Sequence, residues 1–294
     1  MLSAEPITLF SRMWDERLHI VPAPVGTASH HVGGYYEFPP PPDLADAVEA
    51  LWIHQAPDLH VPAHRVVPDA AVSFSFMGLP APDGSPVAAR LRIIGPVSRP
   101  HAFAPPPGHR MESIRIKLEW CRRLLGFAPS EHVDDEPLYA DVRPDLGLPL
   151  EAKLARAANS IDVLHVLLDF LRARRTASDR HTMTLLVAGM ESLRHGAGQP
   201  HVAEVATQLG VSDRHFRRLV IDETGFSPRH FARIQRFHAL LRSADRASRP
   251  EWSALAYRHG YADQSHLIRE VQDLAGVTPA RLLAERRAEE SATG

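Results

Sequence analysis

The sequence predicts an α+β fold: a β-rich N-terminal domain, cupin-like or a sandwich, followed by an all-α domain with two helix-turn-helix motifs. Three observations carry this expectation. Most of the 26 prolines lie in residues 1–110, a density that argues against long helices there. Between the prolines lie short apolar runs of strand length. From Trp120 onward the apolar spacing changes to the three-to-four residue period of helices, and one pattern occurs twice.

The expected strands are Ala50–His54, Ala71–Met77, Leu91–Val97 and Met111–Leu118, joined by turns such as Ala81-Pro82-Asp83-Gly84. The last strand alternates, with Met111, Ser113, Arg115 and Lys117 on one side and Glu112, Ile114, Ile116 and Leu118 on the other. Trp120–Gly126 reads as a short helix ended by glycine. Leu150–Ala173 has helical spacing at Leu154, Ala157, Ile161, Leu164, Leu168 and Leu171, a face that would pack on the β domain or form a homodimer. The polar run Arg172–Arg180 reads as the linker, dividing the chain into domains at 1–175 and 180–290.

Composition sets bounds. No apolar run approaches membrane-spanning length. Met1–Arg17 lacks the basic-then-apolar pattern of a secretory signal, so a cytoplasmic protein is expected. The single cysteine, Cys121, excludes an internal disulfide framework and a cysteine-based zinc site. The overall charge of −2 conceals an asymmetry: from Arg180 onward arginines outnumber acids and lysine is absent, while the remainder is net acidic. Arginine is the side chain best suited to bidentate contact with guanine and phosphate.

The repeated pattern is most informative. Its first copy runs from Val202 to Leu219 and its second from Trp252 to Arg269. Each has a small residue facing inward (Ala206, Ala256), then a glycine four residues later (Gly210, Gly260) suited to the left-handed turn that closes a helix. A capping residue follows, Ser212 or Asp263, whose oxygen can satisfy free amides of the next helix. In the first such helix Phe216, Leu219 and Val220 make the buried face, leaving Arg214, Arg217, Arg218 and Ile221 opposite. In the second, Leu267, Val271 and Leu274 face inward, leaving Gln264, Ser265, Ile268 and Arg269 outward with His266 at the edge.

These residues resemble the AraC/XylS family of bacterial transcription regulators over Leu185–Arg287, including Thr224-Gly225-Phe226-Ser227-Pro228 and the terminal Ala275-Gly276-Val277-Thr278-Pro279. The resemblance implies a linking helix over Pro228–Arg242, with Phe231, Ile234, Phe237, His238 and Leu241 in its core. It implies that Arg214, Arg217 and Arg218 read one major-groove segment of double-stranded DNA, and that Gln264, Ser265, His266, Ile268 and Arg269 face the next, about 34 Å away. Leu267 and Val271 replace the family's usual phenylalanines, Gln272-Asp273 replaces basic residues, and Trp252 opens the second motif unusually. Asp213 and Glu270 flank the readers and would oppose phosphate. The first motif is therefore expected to anchor the complex.

The resemblance further implies a β-rich effector or dimerisation domain, contact with RNA polymerase as an activator or its occlusion, and no enzyme activity or cofactor. Tyr35-Tyr36-Glu37-Phe38, Val66-Val67-Pro68-Asp69 and Ile93-Ile94-Gly95-Pro96 look like an N-terminal domain recurrent in a subset of the family. Arg115-Ile116-Lys117-Leu118-Glu119 stands where that subset often has Arg-Phe-x-Pro-Gly. The alternatives are a cupin-like small-molecule enzyme and a ligand-independent dimeric regulator. An enzyme would need metal ligands gathered from His54, His60, His64, His101 and Glu112, which no regular spacing brings together, and His30-His31 reads as a loop. Cys121 reads as an inert thiol rather than a sensor. Trp52, His54, Phe74, Phe76, Met77 and Phe103 are candidates for core or for a small-molecule pocket.

Overall fold

Alternation along the strands builds a central antiparallel sheet. The computed structural model describes residues 34–55, 63–78, 89–104, 107–175, 180–195 and 202–291. Strands β1 (Gly34–Phe38), β2 (Val48–Gln55), β4 (Ala71–Gly78), β5 (Arg90–Ile94) and β7 (Arg110–Lys117) pair in the order β1-β2-β7-β4-β5. Strands β3 (His64–Val66) and β6 (His101–Phe103) form a separate two-stranded ribbon. The expected turn Ala81–Gly84 lies outside the described residues.

The register sorts the side chains as the β7 alternation predicts. Phe74 stands opposite Ile93 and Ile114, placing these apolar residues on one face, while Ser73 stands opposite Ile94 and Arg115 on the other. The apolar face is buried. The second face carries small and polar groups, among them Ser75 and Ser113, whose hydroxyls hydrogen-bond at 2.7 Å. Over that face lies the ribbon, so the described strands form layers rather than a closed barrel.

Helices cover the apolar face. Helix α1 (Leu118–Leu125) follows β7 directly and ends where Gly126, at φ 84°, donates to the carbonyls of Cys121 and Arg122. Helices α2 (Tyr139–Val142), α3 (Pro144–Leu154) and α4 (Ser160–Arg175) follow. The single helical stretch expected over Leu150–Ala173 is thus two helices. Asn159 explains the break, because its Oδ1 accepts the Asp162 amide at 2.9 Å and starts a new helix. Val163, Leu164, Leu167, Leu168 and Leu171 of α4 are buried in the chain's own core, so that face is not available to a dimer partner. Phe74 meets Tyr139 and Phe170, with ring centroids 4.9 and 5.9 Å apart. The polar run that begins at Arg172 is still helix through Arg175, where Arg172 and Arg175 pair with Asp43 and Asp46.

The C-terminal region is helical: α5 (Arg180–His195), α6 (Val202–Gln208), α7 (Asp213–Thr224), α8 (Pro228–Asp245), α9 (Trp252–Arg258), α10 (Gln264–Ala275) and α11 (Pro279–Ser291). One apolar cluster runs from the sheet through α1, α4 and α5 into α6, α7 and the first half of α8, ending at Phe231 and Ile234. A second joins Phe237, Leu240 and Leu241 of α8 to α9, α10 and α11, with Val67 as its contact from the β region. Complete burial of a side chain such as Phe216 or Phe237 contributes about 1.5–3 kcal/mol. No helix of the described residues is long and apolar enough to cross a membrane.

Candidate nucleic-acid interface

The same turn is built twice. After α6 the Val211 amide donates to Ala206 O at 3.0 Å, and after α9 the Tyr261 amide donates to Ala256 O at 2.9 Å. Gly210 (φ 69°) and Gly260 (φ 70°) supply the left-handed backbone that lets the chain double back. Ser212 then accepts the His215 amide at 3.2 Å, and Asp263 accepts the His266 amide at 2.7 Å, so both following helices are capped as expected. Helix α8 joins the two units and is itself capped by Ser227.

On α7, Phe216 and Val220 point inward, while Arg214, Arg217 and Arg218 are exposed. Arg217 Nε is 2.7 Å from Asp213 Oδ2. Arg214 and Arg218 have no ion pair among the described residues. Asp213 therefore spends its charge on its own helix. On α10, Gln264, Ser265 and Arg269 are exposed. His266 is half-buried: its Nδ1 faces the Ala262 amide at 3.2 Å and its ring meets Tyr261 edge-on, 5.5 Å between centroids. Ile268 is likewise half-buried and packs on the second cluster.

Glu270 differs from the sequence expectation. It is buried, with one carboxylate oxygen 2.7 Å from Arg236 and the other 3.0 Å from Arg233. It faces α8. Arg236 also sits over the Tyr261 ring at 4.6 Å. The residue that sequence reasoning assigned to repulsion is thus a strut that fixes α10 against α8.

Residues 205–285 match the family model described as a helix-turn-helix domain. This region is an AraC-type helix-turn-helix domain. The matched span includes both glycine turns and the linking helix α8. No curated relative matches the sequence. Among solved structures, the chain is similar to ToxT from Vibrio cholerae O395, at 9% identity over 80% of this chain and 96% of that one, with a TM-score of 0.42. ToxT bound to (E)-4-(8-methylnaphthalen-1-yl)but-3-enoic acid is similar at 11% identity over 80% and 97%, TM-score 0.42.

The AraC-type domain is anchored to the β region at several points. Arg122 of α1 pairs with Glu223 of α7 at 2.7 Å, and Ser130 Oγ donates to Asp222 O at 2.6 Å. On the other side Arg65 of β3 pairs with Glu285 of α11 at 2.9 Å, and a His238 ring nitrogen lies 2.8 Å from Pro68 O.

The N-terminal candidates divide. Trp52, His54, Met77 and Phe103 border a cavity on the ribbon side of the sheet, whereas Phe74 and Phe76 belong to the core on the other face. His54, His64 and His101 also border that cavity, but Glu112 is turned away and pairs with Arg110. No group of three potential ligands converges in metal-binding geometry among the described residues. His30, His31 and His60 lie outside them. Burial, with His54 nearby, lowers the pKa of His64 and of His109 to about 4, so both are neutral imidazoles near pH 7. Burial pushes the Cys121 thiol well up, and its Sγ donates to Lys117 O at 3.5 Å, which suits a core thiol.

Proposed function

We infer that the chain is a transcription regulator that binds double-stranded DNA sequence-specifically through both helix-turn-helix units. The observation that carries this reading is the pair of exposed faces on α7 and α10, each set on the same glycine turn and joined by one continuous helix. Helix α8 has 18 residues, hence a length of about 27 Å, close to the span of one DNA turn at about 34 Å. Arg214, Arg217 and Arg218 read the first groove segment, and Gln264, Ser265 and Arg269 the second. Ile268 and His266 shape the edge of the second surface. Three arginines against one make the first unit the anchor.

Regulation through the β region accords with the same geometry. Glu223 and the Asp222 carbonyl close the C-terminal end of the α7 reading helix, and both are held by α1 and the segment after it. A shift of the β region would therefore reach α7 directly.

Selection of bound sequences from a random duplex library, followed by footprinting, tests the reading. The expected site has two protected major-groove segments one helical turn apart on one face. Protection of a single segment would remove the second unit from the interface. Binding with no sequence preference would remove the regulator reading.

A further inference from the structure

One irregularity interrupts the sheet. In β2, Val48 pairs with Ile116 and Ala50 with Arg115, so Glu49 is the extra residue of a β-bulge. The bulge lets Val48 join Leu51 and Ile53 in the apolar layer and leaves Glu49 without a partner across the ladder. Glu49 is partly buried.

Charged groups from five places in the chain act on this carboxyl. Arg115 comes from β7, Asp69 from the segment after β3, Glu119 from α1, Arg194 from α5 and Arg242 from α8. Two direct pairs account for four of them, Arg115 with Asp69 at 3.0 Å and Arg194 with Glu119 at 2.7 Å. Glu49 has neither an ion pair nor a hydrogen bond among the described residues, and Arg242 acts on it without contact. The further titratable neighbours are Cys121 of α1, which feels Glu49, and His238 of α8, which feels Asp69, Arg115 and Arg242.

A carboxylate drawn from water with no cation in contact is costly, so the packed arrangement favours the neutral acid. Burial, reinforced by Asp69 and Glu119 against the arginines, raises the Glu49 pKa to about 7. Burial lowers the pKa of His238 and pushes the Cys121 thiol well up, so Glu49 is the member of this cluster that changes charge near pH 7. Drawing the β region away from α5 and α8 would return Glu49 to water, where a glutamate ionises at about 4.3. Between that value and about 7 the docked arrangement binds a proton that the separated one does not, so docking weakens as pH rises through this range.

We propose that Glu49 is a proton-operated joint between the β region and the AraC-type domain: with its carboxyl neutral the sheet holds α5 and α8, and loss of that proton loosens them. Any effect on DNA affinity rests on the function inferred above; the joint itself does not.

Hydrogen exchange of the full chain without DNA tests the joint, with protection referred to the intrinsic exchange rate at each pH. Glu49→Gln, a fixed neutral isostere, is more protected than the wild type in α5 and α8, and its advantage grows by about fivefold or more from pH 6.0 to pH 8.0. Titration of His238 and of the other histidines is common to both proteins and cancels in the comparison. Strand β4, inside the β region, shows no such growth. An advantage that stays constant, or one that grows equally in β4, overturns the proposal. Carbon-13 NMR of the wild-type chain labelled at its glutamate carboxyls needs no variant: one carboxyl titrates with a midpoint near 7. Absence of any midpoint between about 6 and 8 overturns the proposal as well. Both measurements are made without DNA, so their failure is distinct from failure of the regulator reading.

Discussion

Arg194 Nη1 of α5 lies 2.7 Å from Glu119 Oε1 of α1, an ion pair buried between the β region and the AraC-type domain. The guanidinium also sits over the Phe231 ring at 5.4 Å and pairs with Glu191 on its outer side. Removing one member would leave the other charged and buried. Glu119→Gln therefore lowers the unfolding free energy by about 3–5 kcal/mol. Urea denaturation checks this, and a loss below about 1 kcal/mol would place the pair among surface bridges.

Two glycines separate steric from conformational cost. A Cβ at Gly189 of α5 would run into the Phe216 ring, which is wholly buried beneath α7. Gly189→Ala costs about 1–3 kcal/mol by overpacking and displaces α7, so thermal stability and DNA affinity fall together. Gly210 has nothing within 4 Å of its would-be Cβ, but its φ is 69°. Gly210→Ala costs about 1–2 kcal/mol through the backbone alone. Thermal melts of the two variants, read beside their DNA affinities, check the contrast.

Acid should weaken the fold through the neutral histidines beside the cavity. The folded-state pKa of His64 and of His109 is about 4, below the unfolded value of about 6.5. Between these values the unfolded chain binds more protons, so stability is complete above pH 6.5 and falls as pH drops toward 4. The loss approaches about 1.4 kcal/mol per pH unit for each histidine, and Glu49, whose burial raises its pKa to about 7, offsets about one histidine's share because it is protonated on folding in the same range. Urea midpoints at pH 7.5 and 5.0 measure it, and His109→Gln should flatten the slope. An unchanged midpoint for the wild-type chain between those pH values would contradict the assignment.

The exposed arginines of α7 give the binding prediction. Arg214→Ala and Arg218→Ala each weaken specific DNA binding by about 1–3 kcal/mol where the side chain reads a base. Arg269→Ala on α10 costs less. Affinity falls steeply with added salt as phosphate contacts release counterions. Fluorescence anisotropy on the selected site checks all of these, and a larger loss at Arg269 than at Arg218 reverses the ranking of the two units.

The helix-turn-helix grammar was legible because it is local. Gly210 with Ser212, and Gly260 with Asp263, are separated by two or three residues, and their hydrogen bonds follow from that spacing. The sheet faces were legible from alternation, as β7 illustrates. What escaped depends on distant partners. Glu270 reads as a surface charge until Arg233 and Arg236, a helix away, draw it inward. The break before α4 had a signal in Asn159, which a purely apolar spacing passes over.

The apolar cluster that begins in the sheet and ends at Ile234 has a consequence for modularity. The two helix-turn-helix units are not equally portable. Among the described residues the second draws only Val67 of the β region into its apolar cluster, whereas the first shares its interior with α1 and α4. A chimera joined at residue 180 would carry the first unit away from the α1 and α4 side of its cluster. Exchange of the β region between such chains therefore has to bring α1 along, or replace the surface it offers to α7.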